Sequence, residues 1–142
     1  MRLFLDTEFN EFKGPLISMA LVPEDRKSAP FYEALACENP GPWVAEHVIP
    51  IIGKSPIPMP EFQVALAQFL NQWSEVTIIA DWHEDIAHFC NALTSGPGER
   101  IKTPALRFEI RRDLHTVPPL VPHNALSDAE AMFRSAEGNT ER

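Results

Sequence analysis

The sequence predicts an α/β layered domain built on a mixed sheet with helices against it. Three observations carry that reading. The first third holds three short apolar runs joined by short polar connections, the pattern of an antiparallel meander. After residue 39 the apolar spacing turns helical, interrupted by one β-branched run at 76–81. The chain has 142 residues, 44% hydrophobic and 23% charged, which suits one domain with its own core.

Residues 2–9, rich in Leu and Phe, form the first expected strand. Asn10 to Pro15 is a turn, marked by Lys13, Gly14 and Pro15. The runs 16–22 and 30–36 are the second and third strands. A short helix is expected within 39–53, with Trp43, Val44, His47 and Val48 on one stripe and Pro50 as its end. A proline-rich connector (54–60) leads into a longer helix from Glu61, with Phe62, Leu66, Phe69, Leu70 and Trp73 at helical spacing. "VTIIAD" (76–81) is a strand. Residues 82–93 form a helix with Ile86, Phe89, Cys90 and Leu93 inward, stopped by "TSGPG" (94–98). Residues 105–114 read equally as a strand or a short helix. The last helix spans 125–136. One domain covers 1–137, and the polar stretch 138–142 is expected to fray.

The formal net charge of −8 argues against broad binding to nucleic-acid duplexes, which needs many Lys and Arg contacts. It argues less against a site where acids hold cations, because the loaded site is no longer negative. No apolar run approaches the roughly 18–20 residues that span a bilayer. The first residues reach Asp6 too soon for a signal-peptide core. Cys37 and Cys90 are too few and too scattered for a disulfide framework. Both read as reduced packing residues, and the expected location is cytoplasmic.

Three acidic groups stand out. In "FLDTEFN" (4–10), Asp6 and Glu8 are two apart, so on a strand they project from one face, opposite Leu5, Thr7 and Phe9. Neighbouring carboxylates repel unless one takes a proton or a cation binds. Hard divalent cations choose such oxygen ligands. The competing reading makes one acid a turn cap and leaves the other in solvent. Asp81, Glu84 and Asp85 sit where a strand hands over to a helix, a favoured place for α/β sites; alternatively, Asp81 is an N-cap and the others are first-turn acids. In "HNALSDAEA" (123–131), His123 precedes a helix and Asp128 lies inside it. Here the alternative is an Asn124 cap with acids answering the helix dipole.

Taken in order, Asp-x-Glu in the first strand, an Asp early in a mid-chain helix and His-x4-Asp-Ala at a late helix start resemble the DEDDh 3′–5′ exonucleases. The likeness covers roughly residues 3–134. It is most specific in "HNALSDA", and it extends to the Asp-Thr-Glu-Phe start and to "WVAEHVIP" (43–50), as in a compact branch of bacterial exoribonuclease-like proteins. The resemblance implies a ribonuclease H-like mixed sheet flanked by helices. It implies Asp6, Glu8, Asp85 and Asp128 as ligands of two divalent cations, Mg²⁺ or Mn²⁺, and His123 as general base. Asp81 stands where the family pattern usually has Asn, a departure that leaves its role open. The implied partner is the 3′ end of single-stranded RNA, or of DNA, released stepwise as nucleoside 5′-monophosphates. Dimers are common in such families, so a homodimer is an open expectation.

Substrate contacts are expected from Thr7, Phe9 and Asn10 beside the first acids. Phe12, Trp43 and Trp82 are candidate stacking surfaces, with core packing as the competing reading for each aromatic. Five of the twelve basic residues lie in 100–112, and Arg111 and Arg112 are the expected phosphate contacts, against a solvated face paired with local acids. His83 and His88 diverge on a helix and do not read as a zinc pair. The rival functions are an inactive binding module, an endonuclease and a small-molecule phosphodiesterase.

Overall fold

The computed structural model describes residues 1–140. Five strands form one sheet in the order β3-β2-β1-β4-β7. They are β1 (Arg2–Phe9), β2 (Leu16–Pro23), β3 (Phe31–Ala34), β4 (Glu75–Ala80) and β7 (Ala105–Ile110). β1, β2 and β3 pair antiparallel, while β1, β4 and β7 run parallel. The sheet is therefore mixed, and residues 105–110 resolve as a strand. Between them lie α1 (Pro42–His47), α2 (Met59–Leu70), α3 (His83–Ala92) and a hairpin of β5 (Thr94–Gly96) with β6 (Glu99–Arg100); α4 (Ala125–Thr140) ends the described chain. No helix among the described residues is long and apolar enough to cross a membrane.

Strand alternation divides the core. Leu3 and Leu5 point to the face covered by α2 and α3, where they meet Phe62, Leu66, Leu70 and Phe89. Phe4 and Ile79 point to the other face, where Ala125, Ala129, Met132 and Ala136 of α4 pack on them. The alanines let α4 lie close to the sheet. Each fully buried Leu or Phe contributes about 1.5–3 kcal/mol through removal from water. β1 is the central strand and is buried on both faces, so polar groups at its carboxyl end are held by rigid surroundings.

Several boundaries differ from the sequence reading for local reasons. α2 begins at Met59, inside the expected connector, because Pro60 occupies the first turn, where proline costs no hydrogen bond. It ends at Leu70, so Trp73 packs from beyond the helix. α1 closes at His47, and Pro50 lies in a separate 3-10 turn (Ile49–Ile51). Only Val44 and Val48 of its expected stripe are buried. On α3 Phe89 is buried and Ile86 and Leu93 pack against the core as expected, whereas Cys90 is exposed and Asp85 and Ala92 are buried in its stead; both cysteines are free. α4 continues through Gly138 to Thr140, so the expected frayed tail is helical there, and residues 141 and 142 lie outside the described residues. After β1, Glu11 and Lys13 adopt positive φ, and Gly14 passes so close to the Asn10 carbonyl that no Cβ would fit.

Candidate metal centre

The carboxyl ends of parallel strands β1 and β4 meet at one edge of the sheet. Their register pairs Leu3 with Ile78 and Phe4 with Ile79. Continued by two residues, it sets Asp81 beside Asp6. Alternation places Asp6, Glu8 and Asp81 on the face covered by α4, with Phe4 and Ile79. α4 then delivers Asp128 from its first turn onto the same face. Asp85 arrives from the first turn of α3, on the opposite face, and reaches over the strand ends.

Carboxylate oxygens of Asp6, Asp81 and Asp85 lie within 4.8 Å of one another, as do those of Asp6, Glu8 and Asp128. Asp6 belongs to both groups, and its Oδ2 is buried without a hydrogen-bond partner. Burial pushes the Asp6 carboxyl well above its ordinary range, and Asp85, Glu8, Asp128 and Asp81 push it further. Burial and the neighbouring Asp128 raise Glu8 to about 9. Asp128 is raised by burial but eased by a hydrogen bond with Glu8 and by nearby His123. Burial raises Asp85 to about 7, against the pull of its bond to Thr7. Asp81 is raised by burial and eased by Arg112 and His115.

Five acids with raised proton affinity around an orphaned oxygen are a poor arrangement for a bare protein. Left alone, they must hold protons or repel. A hard divalent cation offers what the site lacks: positive charge and oxygen coordination. Both groups could hold a metal ion through carboxylate oxygens, and Asp6 is common to the two.

The surroundings place each group. The Thr7 hydroxyl donates to Asp85 Oδ1 at 2.5 Å. Thr7 is only 5% exposed, so its side chain is spent on Asp85 and closed to a substrate, contrary to expectation. Asn124 caps α4, accepting from the Ser127 amide at 3.0 Å, and donates to the Ile51 carbonyl at 2.8 Å. It thereby ties the helix that carries Asp128 to the 3-10 turn. His123, just before it, is exposed and left-handed with φ 69°. Trp43 meets its imidazole edge-on at 4.9 Å, with His47 at 6.4 Å. Asp6, Asp81, Asp128, His123 and His115 line a cleft of about 490 Å³ walled by Val117 to Pro119.

The expected substrate contacts separate. The Phe9 ring stacks on His88 at 4.4 Å, on the α3 side. The Asn10 side chain is engaged by the Asn39 carbonyl and the Gly41 amide, and its own amide by Pro15, so it braces a loop. Arg111 is paired with Asp113 at 2.7 Å and turns from the acids into a separate hollow with Arg2 and Glu24. Arg112 lies on the Asp81 carbonyl and over the Trp82 ring. Phe12, Trp43 and Trp82 are 81%, 50% and 47% exposed, so none of them is core.

Of the residues at the site, the sequence left the role of Asp81 open and gave no sign of His115. Asp81 is not the α3 cap; Trp82 holds that position, leaving Asp81 to join the cluster. The signal for it was the shared ending of "RLFLD" and "VTIIAD", two apolar strands each closing on Asp. His115 falls in the irregular stretch before α4, where no periodicity points to it. Among known proteins, no family model matches the chain, and no curated protein matches it.

Proposed function

We propose that the protein is a metal-dependent 3′–5′ exonuclease of ribonuclease H-like fold, acting on single-stranded nucleic acid, RNA first. The observation that carries this reading is the pair of carboxylate groups sharing Asp6, with His123 exposed at the same cleft. The strand order, with an antiparallel first half and parallel second half, supports the fold assignment.

In this reading Asp6, Asp85 and Asp81 would hold one cation, and Asp6, Glu8 and Asp128 a second. The cations would neutralise the scissile phosphate and supply Lewis acidity for an in-line displacement. The chain does the rest. Thr7 fixes the carboxylate of Asp85 so that its orientation costs nothing at the moment of reaction. His123 stands at the cleft mouth to take the proton of the attacking water, a role suited to imidazole. Its left-handed backbone and the Trp43 edge hold the ring at the rim. Arg112 donates to the Asp81 backbone carbonyl and acts on the Asp81 carboxylate by its charge, and would meet a phosphate of the strand. Exposed Trp43 and Trp82 offer faces on which single-stranded bases stack, worth about 1–3 kcal/mol per base.

Asp6→Ala tests the reading, because it removes the one ligand both groups share. The variant should lose about a hundredfold to a thousandfold in the rate of RNA degradation with magnesium, the scale of losing a central electrostatic group. Wild-type rate in the variant would end the proposal.

A further inference from the structure

One edge of the sheet is uncovered among the described residues. β7 pairs with β4 on one side only. Phe108 and Ile110 on this strand are 43% and 44% exposed despite their size. An exposed apolar edge strand is a template for another strand.

The backbone directions on β7 are fixed. The Ala105 amide bonds to Ser74 and the Arg111 amide to Ala80, both on the β4 side. Hydrogen-bonding direction alternates along a strand. Leu106, Phe108 and Ile110 therefore turn their N–H and C=O groups outward. Side chains alternate across the sheet: Phe108 meets Phe89 on the α3 side, while Glu109 reaches Arg2 on the other.

We propose that β7 is a homodimer interface, pairing antiparallel with β7 of a second copy, with Phe108 opposite Phe108 and one continuous sheet through both protomers. The charge pattern selects that register. With Phe108 on the two-fold axis, Arg107 faces Glu109 of the second copy and Leu106 faces Ile110, and every outward backbone group of those residues is paired. The register that sets Leu106 opposite Phe108 places Arg107 against Arg107. The one that sets Phe108 opposite Ile110 places Glu109 against Glu109. Both alternatives oppose like charges, which destabilises a strand pair. The segment is thus complementary to itself, as a two-fold interface requires. Arg107 has no ion pair among the described residues, and Glu109 holds only longer contacts, 3.5 Å to Arg2 and 4.0 Å to Arg111. Two short strands meeting edge to edge fall at the small end of interfaces, so the dimer is concentration-dependent.

Sedimentation equilibrium over a concentration series tests this with wild type, Arg107→Glu, and the double exchange Arg107→Glu with Glu109→Arg. Wild type should dimerise. The single reversal should weaken the dimer about tenfold or more, and the double exchange should restore it. Amide exchange on wild type should show Leu106, Phe108 and Ile110 protected more strongly as concentration rises. A wild-type monomer at every concentration would overturn the proposal. So would a dimer indifferent to Arg107→Glu, or one in which those three amides exchange freely.

Discussion

Thr7 and Asp85 are 78 positions apart, yet the Thr7 hydroxyl donates a 2.5 Å hydrogen bond to Asp85 Oδ1 in the interior. That bond joins the central strand to the first turn of α3 and aims Asp85, which is only 4% exposed. Thr7→Val keeps the shape and removes the donor. The variant should lose about 1–2 kcal/mol of stability in denaturant, the range for a buried bond to an ionisable group. Asp85 should also titrate higher, because the Thr7 bond holds its proton affinity down. Unchanged stability together with unchanged cation affinity would show that Thr7 does not position Asp85.

The acids predict how stability depends on pH. Glu8 is raised from 4.5 to about 9 and Asp85 from 3.8 to about 7, and Asp6, Asp81 and Asp128 move the same way. Over that window the folded chain holds protons that the unfolded chain has released. The cluster's contribution to the stability of the metal-free protein is therefore fully present below the ordinary carboxyl range and is lost as pH rises through about 7 and then about 9. With chelator, Tm should be lower at pH 9 than at pH 6. Magnesium should narrow the gap by taking the place of the protons. A metal-free Tm that rises with pH over this range would contradict the cluster.

Asn124 both caps α4 and bridges to the turn at Ile51. Asn124→Ala should cost about 1–2 kcal/mol, as cap losses do. Asn124→Asp retains the acceptor and loses the donor. Chemical denaturation should place it between wild type and the alanine variant if the cap is the larger part, and at or below alanine if the bridge is.

Arg111 and Arg112 are adjacent but unlike. Arg111 is held by Asp113, whereas Arg112 lies beside Asp81. Arg112→Ala should raise KM for single-stranded RNA about threefold to tenfold, the scale of one charge-assisted phosphate contact. Arg111→Ala should leave it nearly unchanged. Equal effects would return both residues to a general electrostatic role.

Local pattern carried the sequence reading wherever one element sufficed. The alternation that sets Asp6 and Glu8 opposite Leu5 and Thr7 is a property of any strand, and the structure follows it. Asn124 as a cap was equally legible from its place before an apolar helical run. What required the tertiary structure was the meeting of elements. Nothing local says that α3 packs where the Thr7 hydroxyl meets Asp85, so Thr7 read as a substrate contact. Nothing in the spacing of Arg111 and Asp113 distinguishes a closed ion pair from a free guanidinium. Asp81 depended on β1 and β4 being parallel neighbours in a register that ends both on an acid. His115 lies in irregular backbone, where sequence carries no period at all.

The most direct test of the central claim is end-labelled single-stranded RNA and DNA incubated side by side with the protein, in magnesium or manganese and in chelator. Stepwise shortening from the 3′ end is expected, with nucleoside 5′-monophosphates released, stronger on RNA and abolished by chelator. Internal cleavage products, degradation that persists in chelator, or intact substrates with either cation would contradict it.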